Sequence, residues 1–102
     1  MNNEEKRTMI QGIVGQMHPE YVYYELLEQM GDLKGNYHEY MTTAPINCDE
    51  ELKRIDTADY DLCAALFTMI LREDHFANGS LRKRFESGKV DEILNKMTEL
   101  LK

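Results

Sequence analysis

The chain has 102 residues, 42% of them hydrophobic and 30% charged, with a formal net charge of −7. This length and composition predict one ordinary globular domain, residues 1–102, large enough for one core and too small for two, and exclude a disordered chain. The acidic excess, 19 Asp and Glu against 12 Lys and Arg, repels phosphate backbones and argues against direct nucleic-acid binding.

The longest apolar run, Leu62 to Leu71 with Thr68 inside it, is far short of the roughly 20 residues that cross a bilayer. The opening Met1, Asn2, Asn3, Glu4, Glu5 lacks the basic-then-apolar order of a signal peptide. Together they predict a cytoplasmic protein with no membrane partner.

In chain order, Asn2 or Asn3 caps a first helix whose opening turn carries Glu4 and Glu5, both favourable near its positive end. Met9, Ile13 and Met17, with Ile10 and Val14 beside them, recur at helical spacing. Gly12 and Gly15 interrupt the pattern at about 1 kcal/mol each relative to alanine. Pro19 reads as the first residue of a second helix, in which Tyr23, Leu26, Leu27 and Met30 form one stripe. Gly31 ends it as a left-handed cap.

Residues 32–47 admit two readings. Leu33, Tyr37, Tyr40 and Met41 fit a helical stripe, whereas residues 37–43 also read as a short extended segment rich in Tyr and Thr. Either must stop at Ala44, which precedes Pro45. Asn47 followed by Glu50 resembles a capping box for a short helix through Ile55, with Leu52 and Ile55 covering the core.

A central helix is predicted over residues 58–73. Leu62, Leu66, Met69 and Ile70 share one face, and Cys63, Phe67 and Leu71 widen it, a pattern that belongs in the middle of a bundle. Asn78 and Gly79 break it. Ser80 then caps a short helix carrying Leu81 and Phe85, and Gly88 stops that one. The last helix places Val90, Ile93, Leu94, Met97, Leu100 and Leu101 on a single stripe. The fold class is therefore all-α: a compact bundle of about five helices around residues 58–73, with a short extended segment near 37–43 as the alternative there.

No chemical motif is visible. Cys48 and Cys63 form no CxxC and read as two reduced thiols, Cys63 buried. His18, His38 and His75 fall in three separate segments without metal-ligand spacing, so no metal, cofactor or catalytic residue is assigned. Two polar groupings remain. The corner of Arg72, Asp74, His75, Phe76 and Asn78 reads in one way as an anion or substrate pocket, with Arg72 and Arg82 gripping a carboxylate or phosphate beside Asp74 and His75. It reads in the other as a helix terminus, with Asp74 paired to an arginine and Phe76 plugging the core. The second grouping is an acidic, aromatic patch on the second helix, formed by Glu20, Tyr21, Tyr24, Glu25 and Glu28, which suits a partner surface.

The run ALFTMILREDHFANGSLRKRFESGKVDEILNKM, residues 65–97, resembles a group of small uncharacterised bacterial domains. In these an apolar helix ends in an Arg, acidic, basic, Phe corner, followed by a Gly and a Glu-x-Gly turn into an amphipathic helix. The matching positions are Leu66, Thr68, Arg72, Phe76, Gly79, Leu81, Glu86, Gly88, Ile93 and Leu94. His75 stands where the pattern has a second arginine. The resemblance covers about the last forty residues and implies fold and a bacterial or bacteriophage origin, with no activity attached.

Three functions are compatible with this reading. The leading one is a helical protein-interaction module, binding a protein partner or itself. A second is a phage or mobile-element inhibitor that mimics nucleic acid, because residues 1–71 carry thirteen acidic against five basic side chains. The third is an enzyme or anion-binding protein using the Arg72 and His75 corner; the leading reading makes the chain no enzyme.

Overall fold

The computed structural model describes residues 1–102 as six α-helices and two short 3₁₀ turns, with no strand. In order these are α1 (Asn3–Gln11), α2 (Glu20–Met30), a 3₁₀ turn (Tyr37–Tyr40), α3 (Cys48–Leu52), a second 3₁₀ turn (Ile55–Thr57), α4 (Tyr60–Phe76), α5 (Ser80–Glu86) and α6 (Lys89–Leu100). The bundle of about five helices is thus six, and the two helices read after the central one are both present, with the left-handed Gly79 and Gly88 at their starts.

α4 is the axis of the bundle. Every residue from Cys63 to Leu71 is buried, and the helix packs against α2, α3, α5, α6 and the first 3₁₀ turn. It starts at Tyr60 rather than at 58 because Asp59 caps it, its Oδ1 accepting the Leu62 amide at 2.8 Å. It runs on to Phe76 because nothing breaks it before Gly79, whose φ is 93°. One cluster of 21 buried side chains draws on all six helices, with Ile10 from α1, Tyr23 from α2, Leu52 from α3, Leu81 from α5 and Ile93 from α6.

The remaining helices depart from expectation at identifiable residues. α1 carries the full Asn2 and Glu5 capping box but stops at Gln11, because Gly12 caps it and Gly15, at φ 93°, turns the chain. Pro19 is the cap of α2 rather than its first residue. At its other end Gly31 adopts φ 76° and the Asp32 amide reaches back to the Leu27 carbonyl at 2.8 Å. The predicted helix through Ile55 divides into α3 and the second 3₁₀ turn. In α6 the buried stripe is Val90, Ile93, Leu94 and Met97, with Leu101 buried just beyond it, whereas Leu100 faces out.

Residues 37–43 form no strand: Tyr37–Tyr40 is a 3₁₀ turn. A strand needs a neighbour to complete its ladder, and no other segment is a strand. The amides and hydroxyls of Thr42 and Thr43 instead converge on the Glu51 carboxylate, which is fully buried and also paired with Arg54 at 2.8 Å. Arg54 in turn donates to the Tyr40 carbonyl at 2.8 Å. A buried anion with several donors thus folds this loop onto α3.

Candidate interaction surface

In the last turn of α4 the burial pattern changes. Leu71 is buried, while Arg72, His75 and Phe76 are exposed. Phe76 was expected to plug the core; its side chain is 85% exposed. The side of this turn that carries Glu73 and Asp74 is held by α5, whereas Arg72, His75 and Phe76 face solvent.

The first turn of α2 lies beside the same end of α4. Partial burial, and then the hydrogen-bonded carboxyl of Asp74, push Glu20 above the ordinary carboxylate range, with His75 offsetting part of the effect. One turn on, burial pushes the Tyr24 phenol up while the adjacent Arg72 guanidinium pulls it back. Arg72 and Tyr24 share a polar hollow of about 250 Å³ with Glu28, Leu33 and Thr68. Tyr21, beside Glu20, is 63% exposed. The two groupings read separately in the sequence, Glu20, Tyr21, Tyr24 and Glu28 on one side and Arg72, Asp74 and His75 on the other, are therefore one surface. Glu25 is exposed on α2, and Arg82 is exposed on α5 without an ion pair.

On the other flank of Arg72 the surface is apolar. Tyr37, Ile46, Cys48, Met69 and Ala77 line a hollow of about 190 Å³ together with Arg72 and Glu73, and Phe76 stands on its rim. Burial, and then Glu73, push the Cys48 thiol up to about 11, and burial raises that of Cys63 to about 11 as well. Both cysteines are free and protonated at neutral pH.

The pairings expected at this helix end do not form, and other residues make the corner. Asp74 pairs with no arginine; its Oδ1 accepts the Leu81 amide at 2.9 Å and so caps α5 from outside. That cap replaces Ser80, whose hydroxyl is buried without a partner. The arginine that ties the corner is Arg84. It grips Glu73 with two nitrogens, at 3.0 and 2.8 Å, and also reaches Asp49 on α3. Glu73 first, then Asp49, hold its guanidinium well above its usual range. Sequence reading missed this residue because its partners stand far along the chain, outside any helical repeat.

Two further polar clusters were also not anticipated: the buried Glu51 with its threonines, and a triad that joins α1 and α4 to the turn after α2. In the triad, Asp32, 7% exposed, accepts the Tyr60 hydroxyl at 2.6 Å and pairs with Lys6 at 3.0 Å. The Lys6 ammonium also lies 5.4 Å from the Tyr60 ring centre. His18 is held by the Ile13 carbonyl at 2.9 Å and packs edge-on against Tyr23, while His38 lies beside Tyr37. No group of three or more His, Cys, Asp or Glu side chains converges as a metal site.

Residues 16–102 match a family of unknown function, DUF6508. The chain belongs to DUF6508. The match extends the resemblance read in the last forty residues back through α3 and α2, so the DUF6508 span contains every residue of the surface just described, and α1 precedes it. No curated protein and no solved structure matches the chain. No helix is long and apolar enough to cross a membrane.

Proposed function

We propose that this DUF6508 chain is a helical protein-interaction module whose contact face is the end of the bundle formed by the first turn of α2 and the last turn of α4. The observation that carries the reading is Phe76 at the rim of an apolar hollow, 85% exposed and the most exposed of the chain's large hydrophobic side chains. Leaving such a ring in water forgoes about 1.5–3 kcal/mol relative to burying it, an expense that a partner recovers. Tyr21 and Tyr24 flank the face, and Arg72, Glu20 and Asp74 give it a polar rim, the usual composition of a contact patch.

The carboxyls of Glu20 and Asp74 also favour this reading over an anion pocket. They lie together beside His75 and oppose an entering phosphate or carboxylate by like charge. Affinity capture from the source cells tests the proposal. The native chain and an exposed control, Glu99→Ala, should retain a partner that Phe76→Ala loses, at an unchanged melting temperature. Equal retention by all three would remove the face from consideration, and capture by none would remove the reading.

A further inference from the structure

We infer that the Asn78–Gly79 bond, in the turn between α4 and α5, is a site of self-modification, at which the asparagine loses ammonia and the chain gains a carboxylate. The reaction needs no partner, so it stands or falls separately from the Phe76 contact.

Three observations carry it. The first is sequence. An asparagine side chain cyclises when the amide nitrogen of the next residue attacks its carbonyl carbon, and a glycine in that place leaves the approach unhindered because it has no Cβ. Asn78–Gly79 is the only Asn-Gly pair in the chain. The second is place. Asn78 and Gly79 are both exposed. Gly79 has φ 93°, and no atom lies within 4 Å of the point where a Cβ would stand on it.

The third is that both reacting groups are free. The Gly79 nitrogen donates to no carbonyl, and the Asn78 side chain has no hydrogen-bond partner in the protein. The other asparagines are engaged or crowded. Asn2 and Asn47 accept the Glu5 and Glu50 amides at 2.8 and 3.1 Å, and Asn36 donates to Glu39 at 2.7 Å. Asn3 and Asn95 lie within α1 and α6 and precede Glu4 and Lys96, whose side chains hinder the attack.

The chemistry balances with water as the sole co-reactant. Solvent base removes the Gly79 amide proton, the nitrogen bonds to Cγ of Asn78, and the side-chain nitrogen leaves as ammonia, closing a cyclic succinimide. Water then opens the ring. Attack at Cγ leaves an aspartyl residue, and attack at the backbone carbonyl leaves an isoaspartyl linkage, in which the chain runs through the β-carbon. Nothing is oxidised or reduced. Either product places a new anion just ahead of Arg82 and Lys83, the exposed cations of α5. The isoaspartyl form also lengthens the turn across which Asp74 caps the Leu81 amide at 2.9 Å. The corner that carries Phe76 thus changes charge as the protein ages.

Incubating the full chain in warm, mildly alkaline buffer made with heavy-oxygen water tests this. Intact mass should rise with time by the exchange of an amide for an acid that carries one solvent oxygen. Peptide mapping should place the change at Asn78, and an isoaspartyl methyltransferase should label part of the product. The rate should rise with pH, because the attacking nitrogen must lose its proton. Asn78→Gln, whose ring would be larger and slower to close, should suppress the change at an unaltered melting temperature. A mass that stays constant would overturn the inference, and so would a change that maps to another asparagine and persists in Asn78→Gln. Conversion of the chain in urea but not in its folded form would overturn it as well, since the fold would then protect the bond.

Discussion

At the scale of single residues, the most consequential side chain is one whose letter gives no warning. Glu51 is fully buried, and although burial pushes its carboxyl up, the hydrogen bonds from Thr43, Arg54 and Thr42 outweigh that and bring it from 4.5 down to about 2. Its folded value is thus depressed, so its stabilisation is fully present above about pH 4.5 and is lost as pH falls toward 2. The shift corresponds to about 3 kcal/mol at neutral pH. Urea unfolding of the native chain should show a decline through this window, and Glu51→Gln should be weaker at pH 7 by about 2–3 kcal/mol with a flatter acid limb. Parallel acid limbs for the two proteins would assign the decline to other carboxylates.

Arg72 and Arg84 separate contact from architecture. Arg84 holds Glu73 with two short hydrogen bonds in a half-buried setting, so Arg84→Ala should cost about 1.5–3 kcal/mol. Its bond to the exposed Asp49 adds little. Arg72, exposed at the end of α4, should cost no more than about 0.5 kcal/mol when changed to alanine. Thermal melts decide it, and the reverse order would return the structural role to Arg72. Tyr23, Gly31 and Leu94 were legible because each lies on a helical repeat or at its end. Phe76 was not, because α4 is apolar around most of its circumference. Periodicity then marks no face, and only tertiary packing decides which ring is left in water.

At the scale of elements, the stripes of α2 and α6 and the all-round burial of α4 were readable from spacing, since tertiary packing follows the 3.6-residue repeat. The segment around Tyr37 was not readable, because its conformation is imposed from Glu51, eight and nine residues away, through threonine hydroxyls and amides that have no period. α5 shows the same limit. Its cap comes from Asp74 across a corner, while Ser80, the residue that sequence favours, is left without a partner. The burial assignments make a paired test. Leu66→Ala, in the fully buried part of α4, should cost about 2–5 kcal/mol, and Leu100→Ala, on the outward side of α6, no more than about 0.5 kcal/mol. Chemical denaturation of both variants checks this, and a small loss at Leu66 would mean that α4 is not the axis of the bundle.

At the scale of the whole molecule, the ion pairs redistribute the charge. Of the five cations in residues 1–71, Lys6, Lys34, Lys53 and Arg54 are each committed to a carboxylate of the same chain. Exposed Glu4, Glu25, Glu28 and Glu39 are left unpaired over the front half, while Arg72, Arg82 and Lys83 stand exposed at the corner. This polarity separates the proposed apolar face from the nucleic-acid mimic. A mimic presents carboxylates to a site built for phosphates, so its binding should compete with DNA or RNA and collapse with added salt, as contacts to six to ten phosphates do by about 10³–10⁵ between 50 and 200 mM. A contact centred on Phe76 gains from apolar burial, which salt does not screen, and only its rim charges respond. Isothermal titration at these two salt concentrations should therefore change the affinity for the partner by less than about tenfold, with no competition from nucleic acid. A steep salt dependence together with displacement by DNA would move the function from the corner of α4 to the acidic surface in front of it.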